Sequence, residues 1–161
     1  MLRKCSILAS VFLTSGMILA SESLPLPEST GTFLVPAGWH RVAAAGLVLR
    51  GPGNEAADAP RLVLTVVPGD LAATATSLKD GWKRVTDGCE ILDDDNEPLG
   101  GRVWRRIRVR FAAGPLAFGQ AAWIGSVNGR TVVAMLSAPD DRIGSHLASV
   151  TAAIATIRSN R

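Results

Sequence analysis

Residues 102–137 read RVWRRIRVRFAAGPLAFGQAAWIGSVNGRTVVAMLS, and this stretch decides the fold. Arg102 to Phe111 alternates two sets of side chains, the signature of a β-strand. Val103, Ile107, Val109 and Phe111 face one way, with Arg105 intruding among them. Arg102, Trp104, Arg106, Arg108 and Arg110 face the other. Ala112 to Pro115 breaks the strand, and Phe118–Ser126 and Thr131–Ser137 follow as two more. Asn128-Gly129 between them tolerates positive φ at both positions, the strongest hairpin signal in the chain. The segment is therefore an antiparallel meander.

On either side of the meander the periodicity changes from two to about 3.6. Asp70 is a good helix N-cap, and Leu71, Ala75, Leu78, Trp82 and Val85 recur at helical spacing, which predicts a helix over about 71–85. Downstream, Pro139-Asp140-Asp141 opens a second helix. Its stripe is Ile143, Leu147, Val150, Ile154 and Ile157. Short β-prone runs precede the first helix at Thr32–Val35, Leu47–Arg50 and Arg61–Val67, with a turn-rich loop at 51–60 (GPGNEAADAP). Cys89–Leu92 reads as a further short strand and Asp93–Glu97 as an acidic turn. The fold class expected is α+β: an antiparallel sheet flanked by two amphipathic helices. Trp39 and Trp82 read as core.

The N-terminus has a separate logic. Arg3 and Lys4 precede an uncharged apolar run from Ile7 to Ala20. That run is shorter than the roughly 20 apolar residues a transmembrane helix needs, and a small residue closes it. Residues 1–20 are expected to be a cleavable signal peptide, cut after Ala20, which places the mature chain in the periplasm or outside the cell. Cys5 precedes the apolar run, where a lipidation cysteine would not stand. Residues 21–30, with two prolines, read as a flexible leader, and 31–161 as one domain. Losing Arg3 and Lys4 leaves 15 of the 17 basic side chains against 14 acidic ones. Such a near-neutral exported domain speaks against nucleic acid as a partner. Cys89 remains alone, so no internal disulfide is possible.

The run Phe33-Leu34-Val35-Pro36-Ala37-Gly38-Trp39 resembles the F-x-x-P-x-G-W opening of the PsbP/DcrB-like family, where it forms the first strand and turn. The order of elements over about 31–158 is similar too. The resemblance implies a helix-flanked sheet and protein-binding rather than catalytic roles. Uses in that family include photosystem assembly, adaptors for secreted effectors, and periplasmic immunity proteins. No subfamily follows from it, and no functional residues carry over.

Two candidate sites arise from the residues themselves. Arg102, Arg106, Arg108 and Arg110, with Trp104 among them, form a basic ribbon with an aromatic, suited to an acidic protein surface. The bland alternative is a solvated face whose arginines cover Trp104 and pair with acids on neighbouring strands. Asp93, Asp95 and Glu97 offer hard oxygen ligands for Ca²⁺, but the loop lacks the glycine and distal glutamate of an EF-hand. A solvated turn or a partner for the arginine strand is the alternative. Cys89 lies beside Glu90 and Asp87, which disfavour a thiolate. His40 and His146 have no metal-ligand spacing. No nucleophile elbow or phosphate-cradling loop appears, so no catalytic role and no cofactor beyond that calcium possibility is expected. The function expected is non-enzymatic protein binding in the periplasm, in its most concrete form an immunity protein against a secreted antibacterial effector. An envelope assembly or accessory factor is the second reading, and an exported hydrolase, for which no residues speak, the third.

Overall fold

The Asn128-Gly129 turn does what its residues allow. Both adopt positive φ (51° and 73°), and Val127 pairs with Arg130 across it. The computed structural model describes residues 22–53, 59–86 and 88–159; the expected signal segment and its cleavage point lie outside them. The strands are β1 (Ser23–Pro25), β2 (Gly31–Leu34), β3 (His40–Arg41), β4 (Leu47–Arg50), β5 (Arg61–Val67), β6 (Glu90–Leu99), β7 (Arg102–Ala113), β8 (Leu116–Val127), β9 (Arg130–Pro139) and β10 (Arg158–Ser159). The helices are α1 (Leu71–Val85) and α2 (Asp140–Ala155). Seven strands form an antiparallel sheet in the order β3-β4-β5-β9-β8-β7-β6, and β1-β2-β10 form a small second sheet. This is the α+β architecture expected.

Each face of the large sheet has its own core. On one, Trp104, Trp123, Leu49, Leu62, Leu64 and Leu136 pack against Val150, Ile154 and Ile157 from the α2 region and Phe33 of the small sheet. On the other, Ile107, Val109, Ala122 and Ile124 pack against Ala75 and Trp82 of α1. Asp70 caps α1 as expected, its Oδ1 accepting from the Ala73 N–H at 2.7 Å. No helix among the described residues is long and apolar enough to cross a membrane.

Three local expectations are corrected. The described part of the leader is built into the fold. Leu24 and Leu26 are 7% and 2% exposed, and β1 pairs with β2. The prolines suit an edge strand and the tight 3-10 turn at Pro27–Ser29. The apolar stripe of α1 ends at Trp82, for Val85 is 78% exposed. Residues 93–97, expected as a turn, lie within the ten-residue strand β6. Aspartates are poor strand formers, and the pairing partners on β7 override that preference.

Close approach, rather than turn geometry, explains two glycines. A Cβ at Gly125 would collide with the Trp104 indole, and one at Gly119 would lie 2.9 Å from Ile143 Cγ2 of α2. Gly81 in α1 has open space around its missing Cβ. Urea denaturation should therefore separate two nominally identical changes. Gly125→Ala is expected to destabilise by about 1–3 kcal/mol through overpacking. Gly81→Ala is expected to stabilise by about 0.5–1 kcal/mol through helix propensity.

Candidate functional site

β7 is the second strand from one edge of the large sheet, and β6 is the edge. Residues directly opposite each other in a sheet share a face. Glu90 stands opposite Arg110, Asp93 opposite Arg108, Asp95 opposite Arg106, Glu97 opposite Trp104 and Leu99 opposite Arg102. A bulge between Ile91 and Asp93 makes this possible. The extra residue, Leu92, shifts the phase of alternation so that Glu90 and Asp93, three apart, both turn toward the arginines.

The result is a ladder of opposite charges. Arg108 pairs with Asp93 through Nε. Arg106 sits between two acids, with Nε 3.6 Å from Asp93 Oδ1 and Nη1 3.4 Å from Glu97 Oε2. Arg110 reaches Glu90 at 2.6 Å and Asp140 of α2 at 3.9 Å. Glu97 Oε2 also accepts the indole N–H of the buried Trp123 at 3.2 Å. Side-chain exposure rises along the ladder, from 27% at Arg106 to 35% at Arg108 and 48% at Arg110. The strip is thus amphoteric and nearly neutral rather than basic.

The remaining expected members stand elsewhere. Trp104 is 1% exposed, so the expectation of an aromatic displayed among the arginines is corrected. Its indole lies on the backbone of Gly125, and burial of so large an apolar surface outweighs its unpaired N–H. Arg102 donates to the Ile157 carbonyl and the Ser159 hydroxyl, both at 2.8 Å, holding β10 in place. Arg105 faces the other way, toward α1. It grips Asp94 with Nε at 2.6 Å and Nη2 at 2.8 Å, and Lys79 of α1 adds a third bond at 2.9 Å.

The strand geometry also decides what the acids can do together. Asp93, Asp95 and Glu97 share one face while Asp94 points to the opposite one, so they do not wrap a common centre as a calcium loop does. Asp93 and Glu97 are engaged by arginines, and Asp95 is exposed. Among the described residues no group of three or more His, Cys, Asp or Glu side chains converges on a possible metal position. Cys89 is partly buried. His146 stands edge-on to Trp39 at 6.0 Å, and burial, followed by the nearby Arg142 charge, lowers its pKa. His40 is on the other face of the sheet, on β3.

The Asp94 cluster has a pH signature. The hydrogen bond from Arg105, aided by Lys79 and opposed by burial, holds the Asp94 carboxyl at about 2, below its ordinary 3.8. Its contribution to stability is therefore full above the unfolded pKa and disappears as pH falls toward 2. Asp94→Asn is expected to cost about 1–2 kcal/mol at pH 7, with the two proteins converging in stability near pH 2 in acid-dependent melting.

No protein-family model matches this chain, and no curated protein matches it by sequence. Solved structures do match in fold. Cyanobacterial PsbP (CyanoP) from Synechocystis sp. PCC 6803 superposes with a TM-score of 0.61 at 16% identity, over 95% of this chain and 99% of that one. PA94 from Pseudomonas aeruginosa, described as a putative regulator of unknown function, gives 0.59 at 10% identity, over 88% and 98%. LpqN of Mycobacterium tuberculosis, described as involved in cell envelope biogenesis, gives 0.52 at 15% identity, over 74% and 76%. The fold of this chain is that of PsbP, as its Phe33–Trp39 opening implied.

Proposed function

We propose that this chain is an exported, non-catalytic protein-binding protein of the cell envelope. The observation that supports the reading is the composition of the β6–β7 edge. Its rim carries the amphoteric ladder (Arg108, Arg110, Glu90) on one face, while Ile91, opposite Val109 and 37% exposed, belongs to the other face, and Leu92, 43% exposed, stands at the bulge between them. A strand edge that exposes arginines on one face and apolar side chains at its rim suits a protein interface. Each guanidinium has five N–H donors in a fixed fork, and the β6 acids use only part of them. Carboxylates on a partner would take up the rest. Trp104, Arg102 and Arg106 support this surface from beneath or beside it. The structural neighbours include proteins described as a putative regulator and as a factor in envelope biogenesis, which fits such a role.

The most specific form of this reading is an immunity protein whose ladder docks on a secreted antibacterial effector. An envelope assembly factor would use the same edge on a resident partner. Capture from a periplasmic extract separates them. The wild-type chain is expected to retain a defined protein, and Arg108→Glu combined with Arg110→Glu is expected to lose it while still melting cooperatively. A toxic effector among the captured proteins supports immunity, and an envelope enzyme or its subunit supports assembly. Identical capture by wild type and variant would remove the ladder from the binding surface.

A further inference from the structure

The face of the large sheet that carries α1 is only partly covered. α1 packs chiefly on β7 and β8, and the β3–β4–β5 side of the same face lies beyond it. Register aligns a polar rung there. His40 is opposite Arg50, Arg50 opposite Arg61, Arg61 opposite Ser137 and Ser137 opposite Gln120. Two arginines directly opposite each other repel. Among the described residues no carboxylate lies within ion-pair distance of either one. The Nε of Arg50 is buried without a hydrogen-bond partner, which leaves a costly unmet donor at the base of the rung. Gln120 is already committed, accepting from Trp82 Nε1 at 2.6 Å and donating to Ser137 Oγ at 2.9 Å. The Ser137 hydroxyl, whose oxygen accepts from Gln120, retains a hydrogen to donate. The rung offers donors and positive charge.

Two residues along the strands, the same face becomes apolar. Val48, Val63 and Met135 stand in register and half-buried. Beyond them a groove of about 270 Å³ opens beside α1, lined by Thr65, Val67, Leu78 and Val133 among others. From Arg61 to Val67 the strand covers roughly 20 Å at about 3.3 Å per residue. β4, β5 and β9 are interior strands, so their backbone groups are already paired across the sheet. A peptide lying on this face would find no main-chain partners for its own N–H and C=O groups. A hydrocarbon chain needs none.

We propose that this half-face binds a single-chain anionic amphiphile taken up as a monomer. Its carboxylate rests on Arg50 and Arg61, and its alkyl chain runs over Val63 and Met135 into the groove beside α1. The site lies on the opposite face of the sheet from the arginine–carboxylate ladder and stands independently of the partner proposed for that edge.

Calorimetric titration with dodecanoate, below its micelle-forming concentration, tests the proposal. Saturable binding of one dodecanoate per chain is expected, at least tenfold tighter than binding of dodecanol. Arg61→Gln, at an exposed position, is expected to weaken dodecanoate at least tenfold with an unchanged circular dichroism spectrum. Thr65→Trp, which fills the groove, is expected to do the same. Equal affinity for dodecanol, or undiminished binding by Arg61→Gln, would overturn the proposal. So would sedimentation with phosphatidylglycerol vesicles that depends on Arg61 when monomeric dodecanoate is not bound, which would assign the face to a membrane surface. Partner capture through Arg108 and Arg110 reads the other face, so the two proposals fail separately.

Discussion

The indole of Trp104 rests on the backbone of Gly125, and the arrangement of the β6–β7 edge follows from that contact. A tryptophan this close to a sheet edge is buried because its neighbour gives up a side chain and the helix layer packs over it. Gly125 supplies the space, the α2 region supplies the cover, and Glu97 of β6 stands directly opposite Trp104. Once β6 is in place, the arginines that share a face with Trp104 meet a line of acids. The charged ladder is thus the polar margin of a hydrophobic contact.

That margin also manages the sheet edge. β6 is long, and an open strand invites pairing with other chains. Here the edge carries three consecutive aspartates, a proline at position 98 and a bulge at Leu92. Each of these discourages a further strand from adding. Asp94 turns to the opposite face and fastens the edge to α1 through Lys79 and to β7 through Arg105. The same run of acids therefore serves both faces, because strand alternation distributes it between them.

The two faces of the large sheet differ in how completely they are covered. On the α2 face, the helix and the small sheet together close a core that includes Leu24, Leu26 and Phe33. On the other face, one fifteen-residue helix spans only part of a seven-stranded sheet. The remainder must be satisfied by the side chains of the strands themselves, and Arg50 and Arg61 are poor at doing so alone. Coverage, more than composition, sets where this molecule has surface left to use.

The regular elements were legible from the residues alone. Hydrophobic spacing located α1, α2 and the meander, and Asn128-Gly129 and Asp70 carried their turn and cap in their own stereochemistry, all of it local along the chain. The leader and the run Asp93–Glu97 were not legible, since their own composition favours irregular structure and only pairing with β2 and β7 makes them strands. The bulge that turns Glu90 and Asp93 to one face, the burial of Trp104 and the opposition of Arg50 to Arg61 depend on register between distant segments. Periodicity tells which side chains of one strand share a face; which layer covers that face, and which charges meet across it, is decided only when the strands are placed side by side.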